Sequence, residues 1–213
     1  MAKSLLTLAR VLLGMVGMLC VALATQWIRH RLASEQPPTL SVATLSPQRA
    51  LLPLFDLQNS NGQKFDRQSL QGHYSFVFFG YTQCPDICPT TLIELNYVTQ
   101  ALSDLPKNVQ PAVIFVSVDP ERDSLDILRN YARHFNPDFV GLTGGNYALR
   151  TLTQAVGAHY EHSLPVNGSY SVTHSSAFFL VAPNMTVLAT FAAPHAAKDI
   201  ERDYRRIVAA DHP

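Results

Sequence analysis

Two stretches leave this chain little choice of fold. Tyr74 to Tyr81 (YSFVFFGY) and Ala112 to Val118 (AVIFVSV) are unbroken runs of aromatic and β-branched residues. Runs of that length and make-up fit strands covered on both faces, and such strands belong to parallel sheets flanked by helices. A helix is expected between them, from about Thr90 to Leu105, with Pro89 suited to its first turn. The strand, helix, strand order points to an α/β domain.

The rest of the chain fits around that unit. Leu54 to Leu57 and Lys64 to Phe65 flank Asn61-Gly62, a pair that favours a hairpin. Asp119-Pro120 leads into a helix expected over Ser124 to Phe135. After the turn at Gly144-Gly145 another helix is expected over Tyr147 to Val156. Ala177 to Val181 and Val187 to Phe191 read as a second hairpin closed by Pro183-Asn184, and Ala196 to Ala210 as a closing helix. Strand directions are therefore mixed.

With 213 residues, 47% of them hydrophobic, the chain suffices for one well-buried core. Its 16 basic and 16 acidic residues balance, so no net field draws it to nucleic acid. The N-terminus stands apart. Val11 to Ile28 carries no charge and is long enough to cross a bilayer as a helix. A cleavable signal competes, since Ala22-Leu23-Ala24 matches the small-residue cleavage pattern, but the apolar run continues past it to Trp27 and Ile28. Either reading exports the domain. Cys20 inside this segment reads as an apolar filler. Residues 32–49, rich in Pro, Ser and Thr, read as a linker, giving an anchor over 1–31, a linker over 32–49 and a globular domain over 50–213.

The chemistry concentrates at Cys84-Pro85-Asp86-Ile87-Cys88-Pro89, where a buried strand gives way to a helix. A thiol at a helix N-terminus meets the positive end of the dipole and unpaired amide donors, which favour its thiolate. If Cys84 and Cys88 lie one helical turn apart, their sulfurs can share a metal or close a disulfide. A purely structural disulfide fits poorly, because a bond across three residues constrains little of the unfolded chain. A metal needs a further donor, and His73, His134, His159, His162, His174, His195 and His212 are all on offer. His174 stands out only by position, just ahead of the apolar strand at Ala177, where functional groups gather in sheets of this kind.

The stretches FVFFGYTQCPDICPTTL (Phe76 to Leu92), VSVDPERDS (Val116 to Ser124), GLTGG (Gly141 to Gly145) and YSVTHSSAFFLVAP (Tyr170 to Pro183) together resemble the Sco/SenC family of copper-binding assembly factors for cytochrome c oxidase. The resemblance implies a thioredoxin-like fold with an N-terminal β-hairpin extension, preceded by one transmembrane helix. It implies one copper ion, Cu(I) or Cu(II), held by Cys84, Cys88 and His174, a donor set of two soft thiolates and an imidazole that suits copper. Members commonly carry Asp just before the ligand histidine, where this chain has Thr173, which bears on fine control of binding. The resemblance also implies cytochrome c oxidase subunit II as partner, a periplasmic copper donor or thiol reductase upstream, and a soluble domain facing the periplasm from a bacterial inner membrane.

Taken with the resemblance, the cysteine pair implies two alternative functions. One is a metallochaperone that delivers copper to the dinuclear site of subunit II, with the Cys84/Cys88 redox state gating loading. The other is a thiol-disulfide oxidoreductase that reduces the subunit II cysteines first, although the usual redox motif has two residues between its cysteines and this one has three. Peroxidase chemistry fits less well, since Thr82 is only two residues before Cys84, and a structural zinc wants four ligands. Asp119 to Asp123 (DPERD) is expected to serve the turn and cap the helix at Ser124. Asp86 is read evenly as a tuner of the thiols or a solvated helix-start residue.

Overall fold

The computed structural model describes residues 13–27, 39–164 and 170–211. Residues 13–27 form helix α1, which covers most of the uncharged run; Val11, Leu12 and Ile28 lie outside the described residues. Among those described, no helix is long and apolar enough to cross a membrane.

Residues 40–208 form one compact unit. Its eight-stranded sheet contains β1 (Ala43–Leu45), β2 (Asp56–Asn59), β3 (Lys64–Asp66), β4 (Ser75–Gly80), β5 (Ala112–Ser117), β6 (Val140–Thr143), β9 (Phe178–Val181) and β10 (Val187–Phe191). A separate two-stranded sheet pairs β7 (Tyr160–His162) with β8 (Val172–His174). The helices are α2 (Ile87–Ala101), α3 (Leu125–Phe135), α4 (Asn146–Val156) and α5 (Ala197–Asp211). Across the large sheet the order is β1-β10-β9-β4-β5-β6-β2-β3. β4, β5 and β6 run parallel, and β9 lies antiparallel to β4. A parallel core linked by helices, with an antiparallel hairpin beside it and the β2–β3 hairpin at the far edge, is the thioredoxin-like α/β arrangement expected.

β4 is buried at every position, as a strand covered on both faces must be. On one face Phe76 meets Phe178 edge-on at 5.2 Å and Tyr204 of α5 at 5.3 Å, while Phe115 contacts Tyr131 of α3 at 5.4 Å. On the other face Val77, Ile114, Val116 and Leu142 lie against Leu152 and Val156 of α4. Burying each such side chain is worth about 1.5–3 kcal/mol, so these two layers dominate the stability of the unit.

Three local differences from the expected elements have physical reasons. The compact unit starts at Leu40, ahead of the expected Ala50, because β1 pairs with β10 and Asp203 of α5 accepts the amides of Ser41, Val42 and Ala43 at 2.7, 2.8 and 3.0 Å. No local sequence pattern reveals a partner that far along the chain. β6 has no counterpart among the expected elements, being only four residues long with a glycine inside it; a Cβ at Gly141 would meet Leu128 Cγ at 2.6 Å, so the glycine admits α3 against the strand. The β7–β8 pair is short and mostly polar, without the apolar run that marks the central strands.

Candidate metal centre

β4 delivers the chain to Gly80, and the cysteines follow in the turn and the first turn of a helix. α2 begins at Ile87, earlier than Thr90, so Pro89 still falls in the first turn, where a missing N–H is harmless. Cys88 is on the helix and Cys84 in the turn before it, its amide bonded to the Tyr81 carbonyl at 3.2 Å. Asp86, at the N-cap, makes no capping bond with its side chain. Backbone groups of Asp86 and Cys88 instead hydrogen-bond the Cys84 sulfur, so a thiolate occupies the place a capping oxygen would fill.

Gly80 sets how closely the second sulfur sits. A Cβ at that position would lie 2.5 Å from Cys88 Sγ and 2.8 Å from Phe115 Cε2. Cys88 is thus pressed against the sheet and has no exposed surface, while Cys84 keeps 8% of its surface.

His174 arrives from β8. Its Nε2 lies 3.3 Å from Cys88 Sγ, across 86 positions of sequence, and its Nδ1 lies 2.9 Å from the Ser175 carbonyl oxygen. A carbonyl accepts only, so Nδ1 carries the proton and donates it there, leaving the Nε2 lone pair facing the sulfurs. That is the tautomer a metal ligand needs. The Tyr81 ring stands edge-on to the imidazole at 5.7 Å and Phe78 lies at 6.1 Å, walling the site with aromatic groups.

The two thiols share one readily lost proton. Hydrogen bonding from Cys88, opposed by burial and helped by the backbone groups of Asp86 and Cys88, pulls Cys84 from the ordinary thiol value near 9 down to about 4. The same hydrogen bond to Cys84 and the burial of its own sulfur push Cys88 up. The pair therefore rests as one thiolate and one thiol, and a soft cation is what would let both sulfurs ionise together. Neither cysteine is in a disulfide.

The donor atoms of Cys84, Cys88 and His174 all lie within 4.8 Å of one another, and among the described residues no other group of His, Cys, Asp or Glu is so placed. The remaining histidines go elsewhere. His73, His134, His159 and His162 are at the surface, and His195 is held by the Thr91 hydroxyl and the Phe191 carbonyl at 3.0 and 3.3 Å. His212 lies outside the described residues. Thr173 and Asp86 are both exposed and neither side chain makes a hydrogen bond to the cluster.

The DPERD segment differs from its reading as a helix cap. Ser124 alone caps α3, accepting from the Ile127 amide at 3.4 Å. Asp119 and Asp123 are buried, at 0% and 1% exposure. Asp123 accepts the Thr82 amide at 2.9 Å, the Thr82 hydroxyl at 2.5 Å and the Ser117 hydroxyl at 2.6 Å. It thereby ties the turn that bears Cys84 to the end of β5. The sequence signal was available, in two acidic residues directly after a buried strand, but nothing local said they point inward.

Comparison with known proteins places this geometry among relatives. The family model SCO1/SenC matches residues 43–209. The SCO2-like protein of Rickettsia prowazekii is 33% identical over 148 residues, covering 68% of this chain and 71% of its own. The crystal structure of Arabidopsis thaliana ScoI with copper bound superposes with a TM-score of 0.69 at 27% identity, over 75% of this chain and 99% of that one. A structure of BsSco, a member of the Sco family of cytochrome c oxidase assembly proteins in which a disulfide switch was identified, superposes with a TM-score of 0.61 at 25% identity, over 80% of this chain and 99% of that one.

Proposed function

This chain belongs to the SCO1/SenC family, and on that premise we propose that it binds one copper ion through Cys84, Cys88 and His174 and passes it on during cytochrome c oxidase assembly. The observation that carries the reading is the convergence of two sulfurs and an unprotonated imidazole nitrogen within 4.8 Å. Two thiolates and one imidazole are a soft, three-donor set that suits Cu(I) and leaves a coordination position open. An incoming thiolate of the recipient can take that position, so copper moves by ligand exchange without being released. The relative bound to copper and the assembly role of BsSco support the same reading.

The recipient in this proposal is the dinuclear copper site of subunit II, and the Cys84/Cys88 pair gates loading, because a disulfide offers no thiolate to Cu(I). Residues 1–31 act as the membrane anchor and the domain works on the periplasmic side of a bacterial inner membrane. A second reading, reduction of the subunit II cysteines by the same pair, is favoured by one observation: Cys84 is held as a thiolate beside a thiol that can resolve a mixed disulfide.

Copper analysis of the full chain, purified in detergent under reducing conditions, separates the two. The chaperone reading expects one copper per chain in the wild type and an affinity at least about 100-fold weaker in His174→Ala, beyond what loss of a supporting partner alone costs. Full copper retention by His174→Ala, together with undiminished reduction of an oxidised subunit II peptide, would leave only the reductase.

A further inference from the structure

The two halves of the site are attached to the molecule in different ways, and the difference assigns a task to residues the chemistry itself does not use. The cysteines follow β4, which is locked by backbone ladders on both sides. The histidine rides on β8, which belongs to the small two-stranded sheet and shares no ladder with the large one. Its pairing with β7 fixes His174 against Tyr160 but says nothing about its distance from the sulfurs.

What links that hairpin to the body is a small set of contacts, several of them on Asp119 and Arg122. Asp119 Oδ1 accepts the Tyr170 hydroxyl at 2.6 Å, and Asp119 Oδ2 accepts Arg122 Nε at 2.5 Å. Arg122 Nη1 donates to the Tyr170 carbonyl at 2.9 Å, and the guanidinium lies 3.9 Å from the centre of the Tyr170 ring. One residue, two positions before β8, is therefore gripped at its carbonyl, its ring and its hydroxyl. Other anchors include a backbone hydrogen bond between Val172 and the Tyr81 hydroxyl, His162 Nε2 at 4.0 Å from Asp119 Oδ1, the Arg150 guanidinium 5.7 Å from the centre of the Tyr160 ring, and the buried faces of Tyr160 and Val172. Apolar contacts hold a hairpin near a surface yet allow it to slide, whereas charge-assisted hydrogen bonds at a planar guanidinium fix register and angle.

We propose that Asp119 and Arg122 are positioning residues for the imidazole: they clamp Tyr170 and so hold β8 at the one register that brings His174 Nε2 to the sulfur pair. Asp123 does the matching task for the cysteine turn through Thr82, so a single short segment between β5 and α3 aligns both halves of a site whose parts lie far apart in sequence. The clamp deepens the copper reading above and rests on it for its consequence, but not for its geometry. With the clamp released, the sulfurs stay in place and the ring wanders, leaving a two-sulfur site.

The test uses the full chain in detergent, with Arg122→Gln and Tyr170→Phe, the second keeping the ring and removing only the hydroxyl. Amide hydrogen exchange on the metal-free protein is expected to quicken about tenfold or more at Tyr160–His162 and Val172–His174 in Arg122→Gln, and less in Tyr170→Phe, with Ser75–Gly80 unchanged. X-ray absorption after Cu(I) loading is expected to show two sulfurs and one nitrogen in the wild type, and loss of the nitrogen in Arg122→Gln with affinity down about 10–100-fold. Unchanged exchange in the hairpin of both variants overturns the clamp, as does an intact nitrogen neighbour in both. Should Arg122→Gln also quicken exchange at Ser75–Gly80, it has unfolded the domain and Tyr170→Phe decides. A wild type that takes up no copper sinks the copper reading alone, since the exchange arm still judges the clamp.

Discussion

The strand that leads to the sulfurs and the hairpin that carries the imidazole are held by different physics. β4 lies between β9 and β5, buried along its whole length, and is stabilised by ladders and aromatic packing. β8 buries only Val172 and depends on hydrogen bonds from a few side chains. Packing of the first kind is strong and unspecific in detail, while bonds of the second kind are individually modest but fix geometry. One side of the site is therefore a rigid floor, and the other is an arm whose position can be altered at small cost in stability.

The strongest challenge to that division is a cavity in the floor. Phe76→Ala, at a position with no exposure and three aromatic neighbours, should cost about 3–5 kcal/mol in denaturant unfolding. A loss no greater than that of Tyr170→Phe would erase the distinction. Next comes Gly80→Ala, where the added methyl must displace the Cys88 sulfur or the Phe115 ring. A cost of about 1–3 kcal/mol is expected from overpacking, accompanied by weaker copper binding, since the sulfur itself moves. Unchanged copper affinity would mean the floor is softer than its packing suggests.

Protons probe the same contrast more gently. Cys84 is ionised above about 4 in the fold and only above about 9 when unfolded, so between those values the unfolded chain binds more protons and stability must rise with pH. Urea midpoints of the metal-free, reduced protein should climb across that window, and in Cys84→Ser the climb should shrink. The smallest effect belongs to His195, whose pKa burial lowers despite the Phe191 carbonyl and Glu94. The folded imidazole takes its proton only at lower pH than the unfolded one, which charges below about 6.5, so stability falls as pH drops through that value, and His195→Gln should flatten that part of the profile.

Legibility divides along the same line. β4, β5, α3, α4, the β9–β10 hairpin and α5 could be read within a few residues, because each has an apolar pattern of its own. β1, β6 and the β7–β8 pair could not, since each is short and depends on a partner elsewhere in the chain: β10 and Asp203 for β1 and the residues before it, β5 and β2 for β6, and β7 and β8 for each other. The cysteines announced themselves by spacing and location. His174 was one histidine among several until the resemblance singled it out, and its approach to Cys88 depends on contacts that no local pattern encodes. Asp119 and Asp123 were visible but misjudged, as acidic residues beside a helix usually face water.

The sequence gap of 86 residues between Cys88 and His174 has a consequence for the timing of synthesis. A growing chain presents its thiols first and acquires its third donor only when most of the domain has been made, and closing so long a loop requires the intervening elements to be in place. On the proposed copper reading, full coordination coincides with the end of folding. A half-made or misfolded copy can offer metal no more than a bare sulfur pair, so tight capture is reserved for molecules that have finished.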